Sequence, residues 1–215
     1  MDLKHIEYLY YPALVLHIVG GALSLLSGLG AILFKKGRRN HKVSGKIFYY
    51  SMNCVAISAL ILSGIKESEF LFMIGVFSFY MNFMGYRSVK NKSLRPKAKD
   101  WIVVSLGFAN GILMLSTGNL VLMVFSGITI FLTMSDCWAF IVVLRKKELP
   151  KAQWLSHHIG RMMGAYISTT TAFLVVNVKG FEPSWLVWLF PSIVGGPLIA
   201  YFIIKFTESK TKLST

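Results

Sequence analysis

A chain of 215 residues that is 54% hydrophobic and only 15% charged, with mean hydropathy +0.59, is not an ordinary soluble domain, where about a quarter of the residues are charged. The formal net charge of +14 would suggest nucleic acid in a soluble protein. In a chain this apolar the charges have to be placed against a bilayer first, and nucleic acid drops out as a partner. Cys54 and Cys137, the only cysteines, both lie in apolar runs, which argues against a disulfide scaffold.

A helix needs about 20 mostly apolar residues to cross the hydrocarbon layer. The first such run is Tyr11–Phe34. Asp2 and Glu7 offset Lys4 ahead of it, and no small-residue cleavage site follows, so it does not read as a signal peptide. Further spans are predicted near Ile47–Gly64, Phe70–Val89, Trp101–Thr117, Leu120–Leu144, Trp154–Asn177 and Trp185–Phe206. Only Gly118-Asn119 separates the fourth from the fifth; fusing them into a six-span reading would leave an uneven loop pattern. The expected fold is an all-α transmembrane bundle of seven helices forming one domain over residues 1–215, in three hairpins plus a lone last helix.

The basic residues alternate by link. The first link carries Lys35, Lys36, Arg38, Arg39, Lys42 and Lys46, and the third Arg87, Lys90, Lys92, Arg95, Lys97 and Lys99. The fifth has Arg145, Lys146, Lys147 and Lys151, and Lys205, Lys210 and Lys212 close the chain, so 19 of 23 lie on one side. Cytoplasmic loops collect Lys and Arg, so that side is inside, the N-terminus is outside, and the span number is odd. Tyr8, Tyr10, Tyr11, Trp101, Trp154, Trp185 and Trp188 stand at span ends, where rings favour the headgroup boundary. The expected location is the plasma membrane, the inner membrane of a bacterium, with the lipid bilayer as partner.

Polar residues at membrane depth are costly and normally face protein or a cavity. His17, Gly20, Ser24, Ser27 and Ala31 share one face of the first helix. Gly75, Ser78, Asn82 and Gly85 form a similar stripe on the third, and Ser126, Thr129, Thr133 and Asp136 on the fifth. His157, Gly160, Gly164, Ser168 and Thr171 do so on the sixth. Small residues on such faces also let helices approach closely, so packing alone accounts for many of them.

Asp136 lies nine residues before Arg145, about 13 Å above the inner boundary at 1.5 Å per residue. Arg161, seven residues beyond Trp154 on the next antiparallel helix, reaches comparable depth and is expected to pair with Asp136. His157 and His158 sit a turn nearer the inside, near the level of His41. A dry salt bridge would explain this grouping; so would a polar, partly hydrated cavity open to the cytoplasm.

The run Leu16-His17-x-x-Gly20, then Gly28, then Lys36-Gly37-x-x-x-His41-x-x-x-Gly45-Lys46, resembles the opening of a bacterial domain-of-unknown-function family of small multi-pass membrane proteins. Gly85-Tyr86-Arg87 and His158-x-x-x-Met162-x-x-x-Tyr166 resemble it too, over nearly the whole chain. The resemblance implies a multi-pass architecture, marks His17, His41, Arg87 and His158, and names no reaction.

The leading functional expectation is binding or transport of a small anionic or carbonyl-bearing solute, with His17, His41, Asp136, His157, His158 and Arg161 as ligand-binding residues. Gly195-Gly196-Pro197 reads as a break in the last helix, and interrupted helices often line transporter sites. One alternative is a b-type haem protein linked to quinone, with His41 and His157 or His158 as axial pair. Another is a metal-dependent membrane enzyme, weakened by the absence of histidine from the last helix. A retinal protein would need a mid-span lysine there, and Lys205 lies at the end. No phosphate loop, nucleophile elbow or HExxH occurs, and no cofactor, metal ligand or catalytic residue is assigned.

Overall fold

A computed structural model describes residues 3–212, with side chains described for residues 8–208. Asp2 and the side chains of Lys4, Glu7, Lys210 and Lys212, which enter the charge pattern, lie outside the described residues. The described residues form seven helices and no strand: α1 (Leu3–Leu33), α2 (Arg39–Ile65), α3 (Glu69–Lys90), α4 (Ala98–Ser116), α5 (Leu120–Leu144), α6 (Gln153–Asn177) and α7 (Ser184–Lys212).

Six of them, all but α3, are long and apolar enough to cross a membrane. At 22 residues α3 has the length, but Ser78, Asn82 and Ser88 dilute its apolar character. All three are buried within the protein. A helix covered by protein can afford that composition where a lipid-facing one cannot.

Several helices outrun the apolar runs that define the spans. The second begins at Arg39, eight residues ahead of the expected Ile47, because a basic segment too polar for hydrocarbon is still helical in headgroup surroundings. His41 therefore stands on α2 itself. The break expected at Gly195-Gly196-Pro197 is absent: α7 runs unbroken through Pro191 and Pro197. Pro197 lacks the N–H for a bond to Ile193 and its ring crowds that carbonyl, yet the helix continues, with Gly195 close against the Ile167 side chain.

The chain divides into two compact units, residues 1–79 and 80–215. In the first, α1 packs along α2. The stripe on α1 faces this contact. A Cβ on Gly20 would lie 3.1 Å from the Val55 side chain and 3.3 Å from the Ser51 carbonyl, so any side chain there would press on α2. Ser24 Oγ donates to Ser51 Oγ at 2.8 Å. Lys36 closes α1 by donating Nζ to the carbonyls of Ala31 and Ile32, and partial burial lowers the pKa of its ammonium group.

In the second unit α4 packs on α5 and α6 on α7, and α5 also touches α7. The short turn between α4 and α5 works because Gly118 adopts φ +68° and Asn119 caps α5, accepting from the N–H groups of Val121 and Leu122 at 3.0 and 3.2 Å.

Candidate functional site

The buried face of α5 carries Ser126, Thr129, Thr133, Asp136 and Phe140. Its hydroxyls are satisfied by backbone: Ser126 donates to the Gly111 carbonyl at 2.7 Å, Thr129 to Phe125 at 2.7 Å and Thr133 to Thr129 at 2.9 Å. Asp136 is the charged member, fully inaccessible to solvent (0% exposed). A carboxylate at this depth needs compensation for the lost water, and three side chains supply it.

Arg161 of α6 spans the carboxylate, with Nη2 2.7 Å from Oδ1 and Nε 3.3 Å from Oδ2. This is the pairing that matched depth on adjacent helices predicts. A planar guanidinium suits it, since one fork can engage both oxygens. The same Nη2 donates to the Leu132 carbonyl at 3.2 Å. His157, one turn before Arg161, lies with Nδ1 3.0 Å from Oδ1. Tyr80 of α3 donates its hydroxyl to Oδ2 at 2.6 Å. The carboxylate thus receives two contacts on each oxygen.

Behind this ring stands Gln153, whose Nε2 is 2.9 Å from His157 Nε2. His157 thus bridges the Asp136 carboxylate through Nδ1 and the Gln153 amide through Nε2. Glycines give the cluster its space. A Cβ on Gly107 of α4 would lie 3.0 Å from the Tyr80 ring, and one on Gly85 of α3 only 2.9 Å from the Met162 backbone nitrogen.

A second ion pair lies in the same unit. Arg87 near the end of α3 places Nε 2.9 Å from Oδ2 of Asp100, in the first turn of α4. Its Nη2 donates to the carbonyls of Leu94 and Arg95 at 3.1 and 3.0 Å. The guanidinium lies 4.7 Å from the centre of the Phe140 ring, a cation–π contact. Asp100 Oδ2 also accepts the Lys97 N–H at 2.8 Å, capping α4.

The six expected ligand-binding residues therefore divide. Asp136, His157 and Arg161 meet in one cluster. His158, one residue on, turns instead to the Gly85 carbonyl, 3.0 Å from its Nδ1. His17 and His41 belong to the first unit. His17 Nδ1 lies 3.2 Å from the Val55 carbonyl and 3.1 Å from Ser58 Oγ, and His41 Nδ1 lies 2.9 Å from the Ala31 carbonyl. Among the described residues no three His, Cys, Asp or Glu side chains group to hold a metal ion.

Residues 14–118 match the family described as predicted membrane protein (DUF2306). The matched stretch includes His17, His41 and Arg87 and ends before α5, so it is shorter than the nearly chain-long resemblance read from the motifs and leaves Asp136 and Arg161 outside it. No curated protein and no solved structure matches the chain. With six long apolar helices and this similarity, the chain is a multi-pass membrane protein.

Sequence reasoning missed Tyr80, Gln153 and the partnership of Arg87 with Asp100. Tyr80 lies two residues from both Ser78 and Asn82, off the stripe that periodicity picks out on α3. Gln153 precedes His157 by four residues, a helical neighbour visible in the sequence once the helix start is moved back to it.

Proposed function

We propose that this chain is a seven-span protein of the plasma membrane, N-terminus outside and C-terminus inside. In this reading it acts as one transmembrane domain that binds or transports a small solute bearing a carboxylate or carbonyl group. The alternation of basic links supports the orientation, and α3, with its buried polar side, serves as the seventh span. The pairs α4–α5 and α6–α7 are then joined on the outer side, and α1–α2 through the basic inner link. An impermeant thiol reagent applied to whole cells should label cysteines placed beside Lys66 and Lys179 and spare those beside Lys92 and Lys147. Labelling at Lys92 would reverse the orientation.

One observation carries the ligand reading: the guanidinium of Arg161, the hydroxyl of Tyr80 and the imidazole N–H of His157 all converge on a single buried carboxylate. Together they are a receptor for a carboxylate, and Asp136 is its resident occupant. An incoming anionic or carbonyl group would compete for these donors, with Asp136 leaving as it takes a proton or swings aside. A permanently charged guanidinium favours such a group over a bare cation. Gln153 and His157 continue the hydrogen-bond chain from the carboxylate toward the start of α6, a path by which that proton could come and go.

The test is chemical rescue. Asp136→Ala removes the occupant and leaves the donors facing a small void. Formate or acetate at millimolar concentration should raise the melting temperature of this variant, leave the wild type unchanged, and do nothing for Asp136→Ala combined with Arg161→Gln. A variant indifferent to both anions would mean that the donors cannot take an external carboxylate, and the ligand reading would fall.

A further inference from the structure

The link between α3 and α4 differs from what a positively charged topology signal requires. Such a signal needs only charge, and a floppy chain supplies it. This link is built. Arg87, 7% exposed, holds the carbonyls of Leu94 and Arg95 from beneath. Leu94 is completely buried and sits in the left-handed region at φ +56°, a conformation that costs a leucine about 1–2 kcal/mol and therefore needs a reason in the surrounding contacts. Asn91 donates Nδ2 to the Arg95 carbonyl at 2.7 Å, and Ser93 donates to Asn91 Oδ1 at 2.8 Å. Pro96 restricts both its own φ and the conformation of Arg95 before it.

The result is an open cleft of about 380 Å³ lined by Lys90, Asn91, Ser93, Arg95, Pro96 and Lys97. Three of the six carry positive charge and none is acidic. The nearby acid, Asp100, is turned onto Arg87 and the Lys97 N–H. Lys97 immediately precedes α4, one of the six helices apolar enough to cross a membrane, so a bilayer around α4 would bring lipid headgroups to the cleft. Two neighbouring cations do not line the cleft: Lys92 Nζ lies over the Trp154 ring at 5.0 Å and Lys99 Nζ over Phe83 at 5.8 Å.

We infer that this cleft is a binding site for a phosphate group, held by Arg95, Lys90 and Lys97 on a loop that Arg87 pins in place. The cleft has room for the carbon framework attached to the phosphate. Arg95 offers a fork that can engage two phosphate oxygens, while the lysines act as point charges. Lys90 Nζ lies over the Tyr86 ring at 5.5 Å, and the Arg95 and Lys97 contacts that shape the loop come from backbone atoms. Anionic lipid and soluble phosphate compounds share this chemistry.

The experiment compares two double variants that remove the same charge from the same link. Purified full-length protein in neutral detergent is titrated with phosphatidylglycerol, with phosphatidylcholine as the zwitterionic control, and bound lipid is counted by native mass spectrometry. Arg95→Gln with Lys97→Gln should weaken phosphatidylglycerol binding by about ten-fold or more, the scale of charge-assisted hydrogen bonds. Lys92→Gln with Lys99→Gln should change it less than about two-fold, because neither side chain lines the cleft. A melting temperature equal to wild type confirms that each variant is folded, and Arg95→Gln alone stands in should the double variant fail to fold. A second titration uses inorganic phosphate. Displacement of the lipid by phosphate upholds the site with lipid as its source. Phosphate binding without phosphatidylglycerol binding, lost in the Arg95 and Lys97 variant, upholds it with a soluble source. Equal losses in the two double variants would reduce the link to diffuse attraction and overturn the proposal, as would a wild type that binds neither ligand.

Discussion

Among its described residues the second unit holds two carboxylate–guanidinium pairs, and they are stabilised in different ways. At Asp136–Arg161 every strong acceptor position is met: both oxygens are engaged, by a guanidinium, an imidazole and a phenol. At Asp100–Arg87 the two groups are in ion-pair contact at 2.9 Å, but Nε lacks the angle of a hydrogen bond, and Asp100 Oδ1 has no hydrogen-bond partner among the described residues. Arg87 instead donates through Nη2 to two carbonyls and lies against an aromatic face. One pair is a closed cluster in the middle of two spans. The other fastens a loop where α3 ends and α4 begins. The lesson is that burial alone does not rank an ion pair; the number of additional donors does.

Double-mutant cycles on each pair would sharpen that contrast, and the largest effect belongs to the closed cluster. Asp136→Asn or Arg161→Gln alone leaves an uncompensated group in a low-dielectric setting, which typically costs about 3–5 kcal/mol. The two together should recover part of the loss, read as melting temperature or denaturant midpoint in detergent. Strictly additive losses would mean that the two groups do not stabilise each other. The same cycle at Asp100–Arg87 should be asymmetric. Arg87→Gln gives up two carbonyls and a ring contact and should cost about 1–3 kcal/mol. Asp100→Asn keeps an oxygen for the Lys97 N–H and should cost less than Arg87→Gln. If Asp100→Asn proved the more damaging, the ion pair itself, not the grip on the loop, would be the stabilising element.

Much of this is legible in the amino-acid sequence. Long apolar runs separated by charged links define the helices, and Leu120–Leu144 is found at the predicted residues because Asn119 and Arg145 mark both its ends. The Asp136–Arg161 contact was legible because both residues are charged, rare at that depth and on consecutive helices. The Arg87–Asp100 contact follows from the same reasoning, yet counting Arg87 as one more cation in a basic link hid it. Tyr80 was not legible at all. A tyrosine in an apolar helix reads as core, and its hydroxyl becomes functional only when Gly107 makes room for the ring beside α5. Likewise Gly195-Gly196-Pro197 signals a break in isolation, yet α7 runs through it with Gly195 close against Ile167.

The smallest expected effect lies in the first unit, where the comparison turns from ions to neutral groups. Ser24 donates to Ser51 at 2.8 Å, both side chains are buried, and Ser51 in turn donates to the Phe48 carbonyl at 3.1 Å. Neither hydroxyl carries a charge that would be stranded by losing its partner. Ser24→Ala leaves Ser51 with its backbone acceptor, and the missing oxygen opens too little space for α1 and α2 to move. Hydrogen bonds of this kind between membrane helices average about 0.6 kcal/mol. Ser24→Ala should therefore lower stability by about that amount, several-fold less than either substitution at Asp136 or Arg161. The stripe on α1 would then be chiefly a steric one, with Gly20 dominant: Gly20→Val, forced against the Ser51 carbonyl, should destabilise by about 1–3 kcal/mol where Ser24→Ala scarcely registers. A Ser24→Ala loss as large as that at Asp136 would show that hydroxyl bonding, and not close backbone approach, holds α1 to α2.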